Sequence, residues 1–76
     1  MNNPRRKALN DIIAKLEDLK EDLEALKEEE EEAYNNLPEG FQDGEKGSAM
    51  WDAIDNMDCG IYSLEEAIDY ITEATN

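Results

Sequence analysis

The chain has 76 residues, 39% of them hydrophobic and 37% charged, with a net charge of −14 at pH 7. A single domain of that size is near the lower limit for a self-sufficient core, and this balance leans toward disorder unless the apolar residues line up along a seam. The acidity argues against ordinary nucleic-acid binding and against an anionic membrane surface, since both would repel the chain.

The first element predicted is a helix over about 4–36. Leu9, Ile12, Leu16, Leu19, Leu23, Leu26, Glu30, Ala33 and Leu37 alternate in steps of three and four, the pattern of a helical packing seam. Leucine, lysine, glutamate and alanine are also strong helix formers. Asn3 before Pro4 reads as a cap followed by proline at the first helical position. A turn over 37–47 comes next, because Pro38, Gly40, Gly44 and Gly47 are too dense for a helix to continue. Ser48 is the expected cap of a second helix over about 48–74, with Asp43 second. Its seam is Met50, Ile54, Met57, Ile61, Leu64, Ile68 and Ile71, and beside it the small residues Ala53, Gly60, Ala67 and Ala74 recur every seven positions.

Two long helices with a short connection fold back on each other, so the fold expected is all-α, an antiparallel two-helix hairpin of coiled-coil type. Two registers fit. One pairs Leu26 with Ile61 and Leu37 with Met50; the other pairs Leu26 with Ile54 and Leu19 with Ile61. The first is preferred because it keeps the glycines in the turn. One buried stripe per helix seldom outweighs the ordering entropy of seventy-odd residues. Self-association into a four-helix bundle, or docking on a partner, is therefore expected, with Leu9, Ile12, Ile13 and Ala67 as the self-association residues. Trp51, Tyr62 and Tyr70 lie off the seam, although Phe41 and Trp51 would also serve simply to cap the hairpin end.

Little catalytic chemistry is present. There is no histidine, which removes imidazole acid–base catalysis and His-ligated zinc. The single cysteine, Cys59, has no imidazole to activate it and no partner for a disulfide. Residues Asp55–Glu66 match a calcium loop at its first, sixth and twelfth positions, but Met57 and Cys59 stand where oxygen ligands belong. No metal, cofactor or enzymatic activity is expected. A lone thiol, the lack of a membrane-length apolar run and an N-terminus without an apolar centre lead to the expectation of a soluble cytoplasmic protein.

The charge is segregated. Acids and bases cancel over residues 1–27, so the entire −14 belongs to residues 28–76. Glu28 to Glu32 stand in a row, with Glu30 on the seam and the core thinning to Ala33 beyond it. Asp52, Asp55 and Asp58 are expected to face them with no base between, so repulsion weakens this end of the hairpin. Stability given up locally in this way marks a candidate functional surface. The candidate partner-binding residues are Glu28, Glu29, Glu31, Glu32, Asp52, Asp55, Asp58 and Trp51, and the partner they suit is a basic protein surface.

The stretch "NNLPEGFQDGEKGSAMWDAIDNMDCGIYSLEEAIDYI" resembles small helical-hairpin proteins of bacteriophages and mobile elements of gut Gram-positive bacteria. The likeness lies in Leu37-Pro38-Glu39, Glu45-Lys46-Gly47, Met50, Ala53-Ile54-Asp55 and Ser63-Leu64-Glu65-Glu66-Ala67-Ile68, about half of the chain. It implies a mobile-element origin. Small acidic phage proteins include DNA mimics and anti-CRISPR inhibitors that block the nucleic-acid channel of a host nuclease; no functional residue is carried over by the resemblance. Three functions compete on the sequence: an acidic inhibitor that occupies a basic nucleic-acid-binding surface, a homo-oligomeric helical scaffold whose acidity is incidental, and a small antitoxin that neutralises a basic toxin.

Overall fold

A computed structural model describes residues 1–76 as two helices, α1 (Asn3–Asn35) and α2 (Glu45–Thr75), packed against each other along their length. The all-α hairpin is as the heptad spacing requires. Asn2 rather than Asn3 caps α1: its backbone is extended and its Oδ1 accepts from the Arg5 amide at 2.8 Å. At the other end the Tyr34 carbonyl accepts from the Leu37 amide and also from Gln42 Nε2, each at 3.1 Å, and the second bond ties the turn to the end of α1.

The turn is shorter than expected, because α2 begins three residues ahead of Ser48, with Gly44 in the extended cap position. Two of the turn's glycines are required. Gly40 has φ of +90°, a left-handed conformation that a Cβ disfavours. Gly47, already inside α2, is buried directly beneath the returning loop, and a Cβ there would meet the Gln42 Cα at 2.6 Å. Glycine at 47 is therefore a packing residue, not the helix breaker that its place in the sequence suggests.

On α2 the expected seam holds: Met50, Met57, Leu64, Ile68 and Ile71 are half-buried, and Ile54 and Ile61 are buried. On α1 it does not. The residues turned toward α2 are Leu9, Ile13, Leu16, Lys20, Leu23, Lys27, Glu30, Tyr34 and Leu37, whereas Ile12, Leu19, Leu26 and Ala33 are exposed. Alternate seam positions have each moved on by one residue, which turns α1 by about 50° about its axis. The register moves with it. Lys27 pairs with Asp58, Lys20 with Glu65 and Tyr34 with Trp51, and Leu23 rather than Leu26 lies level with Ile61, beside Gly60. Neither register read from the sequence is the one adopted.

Electrostatics explains the rotation. With Leu19 and Leu26 in the seam, Asp58 and Glu65 would border the glutamates of α1 with no cation between. With Lys20 and Lys27 in the seam, each ammonium lies between carboxylates of both helices, while its alkyl stem still covers apolar surface. The expectation that nothing offsets the acids near Asp58 is corrected accordingly.

The result is a rod with Cα extents of 58 × 15 × 12 Å. Its fully buried apolar core is confined to Ile54 and Ile61, at 5% and 7% exposure. Leu9, Ile13 and Ala67 are half-buried along the hairpin interface, leaving Ile12 as the exposed member of the four self-association candidates. No helix is long and apolar enough to cross a membrane.

Candidate functional site

Once Lys20 and Lys27 take seam positions, the residues at the next angular step of α1 are Glu17, Glu21, Glu24, Glu28 and Glu31, spaced four, three, four, three. A row with that spacing keeps to one side of a helix. On α2 the corresponding row is Asp55, Asp58, Tyr62, Glu65 and Asp69. The hairpin brings the two rows together on one face, with Trp51 at the turn end. Three adjoining shallow grooves run along it, the largest of 270 Å³, lined by Glu17, Lys20, Glu21, Glu24, Glu65, Ile68 and Asp69.

Beneath this face each lysine is shared. Lys20 Nζ lies 3.3 Å from Glu65 Oε1 and 3.9 Å from Glu24 Oε1; Lys27 Nζ lies 2.8 Å from Asp58 Oδ1 and 3.7 Å from Glu31 Oε1. Both ammonium groups are held above their ordinary pKa of 10.5, chiefly because they donate hydrogen bonds to Glu65 and Asp58; partial desolvation opposes this and the surrounding carboxylates reinforce it. The lysines thus tie the two acidic rows together and remain cationic at neutral pH.

The carboxylate density is measurable. Each row runs over fourteen residue-to-residue steps, about 21 Å at 1.5 Å per residue. Nine carboxylates less two lysines leave a net −7 on the face, one charge per about 3 Å of length. Duplex DNA carries one charge per about 1.7 Å of axis and a single strand one per about 3.4 Å. The face therefore has the charge spacing of one nucleic-acid strand rather than of a duplex, with two aromatic rings, Trp51 and Tyr62, exposed along it. Trp51 is braced by Tyr34, their ring centroids 5.7 Å apart at 47°.

Of the partner-binding candidates, Glu28, Glu31, Asp55, Asp58 and Trp51 meet on this face. Glu29, Glu32 and Asp52 point elsewhere: Glu32 and Asp52 lie on the backs of their helices, and Glu29 flanks the opposite side of α1. Sequence reasoning missed Glu17, Glu21, Glu24, Glu65, Asp69 and Tyr62. The signal that finds them is the heptad spacing of the glutamates themselves, which the conspicuous run at 28–32 obscures. Residues Asp55–Glu66, the near-match to a calcium loop, lie wholly within α2, and no group of acidic or thiol side chains converges in the way a metal ion needs. Cys59 is exposed and unpaired on the back of α2. Compared with known proteins, the chain matches no family model, no curated protein and no solved structure.

Proposed function

We propose that the chain is a non-enzymatic binding module whose acidic face occupies a basic, nucleic-acid-binding surface of a partner protein, as a DNA-mimic inhibitor of a nuclease would. The observation that carries this reading is the convergence of two carboxylate rows, 24 positions or more apart in sequence, into a single face with the charge spacing of a nucleic-acid strand. A chain that needed acidity only for solubility would gain nothing by aligning it. The lysine bridges serve the same end, since they hold the two rows in a fixed relation and so limit the ordering cost of binding. Trp51 and Tyr62 supply rings of the kind on which a strand-binding groove stacks bases or guanidinium groups.

The test is competition. A basic nuclease carrying a fluorescent single-stranded oligonucleotide is titrated with the protein at about 50 mM and about 200 mM salt. Displacement at the lower salt that weakens steeply at the higher is expected. Two fourfold variants locate the effect: Glu21→Gln, Glu28→Gln, Asp55→Asn and Asp69→Asn on the face, against Asp11→Asn, Asp18→Asn, Asp52→Asn and Glu66→Gln on the backs of the helices. The face variant should lose displacement and the other keep most of it. Equal losses would reduce the effect to net charge and refute the reading.

A further inference from the structure

The side of the hairpin opposite the acidic face has a different chemistry. Ile12, Leu19 and Leu26 recur every seven residues on α1 and are 44%, 57% and 56% exposed. Leu26 and Glu24 are two residues apart, about 200° around the helix, so this row lies across the seam from the glutamates. Gly60 and Ala67 stand in the same relation to Asp58 and Glu65 on α2. Because the hairpin is antiparallel, the large apolar row of α1 and the small row of α2 adjoin. In a chain of net charge −14, the α2 half of this side carries no carboxylate and a single base, Lys46, seven residues before Ala53 at the turn end: past the small row come Ala49, Asn56, Ser63 and Tyr70.

From this we infer that the apolar side is the interface for a second copy of the chain, forming a two-fold dimer, a four-helix bundle with both acidic faces outward. Three observations favour a second copy over another occupant. The face is self-complementary: a two-fold axis along the rod lays the Ile12, Leu19 and Leu26 row of one copy over the small residues of the other, so that large side chains enter the space that glycine and alanine leave. Charge allows this approach alone, since any other places carboxylates of two acidic chains against each other, whereas a basic partner finds little here to attract it. The size also fits. The side of the rod, 58 by 15 Å in Cα extent, has room for the roughly 800 Å² per partner that a stable interface buries. A core limited to Ile54 and Ile61 leaves the isolated hairpin short of burial, and this layer supplies it.

The experiment is sedimentation equilibrium with circular dichroism on the full chain. The wild type should have twice the 8.7 kDa chain mass, and Leu19→Glu with Leu26→Glu should weaken the dimer more than about 100-fold. Ala53→Gln adds bulk without charge at an exposed position on the small row, so the hairpin tolerates it while dimerisation weakens. Tyr62→Gln, at a residue 61% exposed on the acidic face, should leave the mass unchanged. Added salt should tighten the dimer by screening repulsion, the reverse of its effect on binding a basic partner, so the two readings fail separately. A monomer at about 100 μM, a dimer indifferent to both apolar-side changes, or a dimer that loosens with salt would each overturn the inference.

Discussion

Three glycines of one short window have three different roles, and their replacement tests the turn in detail. At Gly47 the obstacle is space: an added Cβ meets backbone atoms of Gln42, with the Cα at 2.6 Å, and backbone yields less readily than the end of a side chain. Gly47→Ala would ordinarily favour a helix by up to about 1 kcal/mol. Here the loop must lift off α2, and forced overpacking costs about 1–3 kcal/mol, so the net loss is about 1–2 kcal/mol. At Gly40 the obstacle is conformation, not space: nothing lies within 4 Å, but φ is +90° and Gly40→Ala should cost about 1 kcal/mol. Gly44 has neither problem, with φ of −86° and its nearest neighbour 3.5 Å from an added Cβ. Gly44→Ser supplies the missing cap oxygen and should be neutral or a few tenths of a kcal/mol stabilising. Thermal unfolding followed by helicity, at one fixed protein concentration, reads all three, since 1 kcal/mol moves Tm by about 4–8 °C in a domain this small. The order of stability expected is Gly44→Ser, wild type, Gly40→Ala, Gly47→Ala. If Gly47→Ala were as stable as wild type, the loop would not rest on α2 as described.

Other expectations follow from the seam. Lys20 and Lys27 have raised pKa values in the folded chain, so their contribution is fully present below pH 10.5 and is lost as pH rises through the higher folded values. An alkaline titration of helicity should therefore show a loss that Lys20→Met with Lys27→Met removes; identical alkaline curves would rule out the bridges as a source of stability. Glu30 sits half-buried in the seam, in the layer of buried Ile54. Glu30→Leu should stabilise the hairpin by about 1 kcal/mol, roughly half the value of a fully buried leucine, measured by urea unfolding, and a loss would mean that the carboxylate has a partner there. The competition and sedimentation experiments above supply the functional and oligomeric tests.

The heptad spacing alone determined a great deal: two helices, their antiparallel pairing and the whole seam of α2. It did so because α2 is unambiguous. Its aliphatic residues and methionines occupy a single stripe, flanked by small residues on one side and by carboxylates with Trp51 and Tyr62 on the other, so only one rotation buries them. α1 offers two apolar stripes side by side, Leu9, Leu16 and Leu23 flanked by Ile12, Leu19 and Leu26 on one hand and by Ile13 on the other. Hydrophobicity alone favours the rotation that buries Ile12, Leu19 and Leu26 over the one that puts Ile13, Lys20 and Lys27 in their place. The carboxylates of α2 choose, through Lys20 and Lys27, and that is a contact between residues 31 to 45 positions apart. The same contact decides which glutamates share a face and which leucines are left outside. Gly47 illustrates the point locally: by composition it is one more breaker in a turn, and only the path of the chain back over α2 makes any larger residue there press on the Gln42 backbone. What one helix can arrange within itself was written in the sequence; what needed two helices to meet was set by tertiary structure, because the periodic charges of each helix acquire their partners, Lys20 with Glu65 and Lys27 with Asp58, only across the interface.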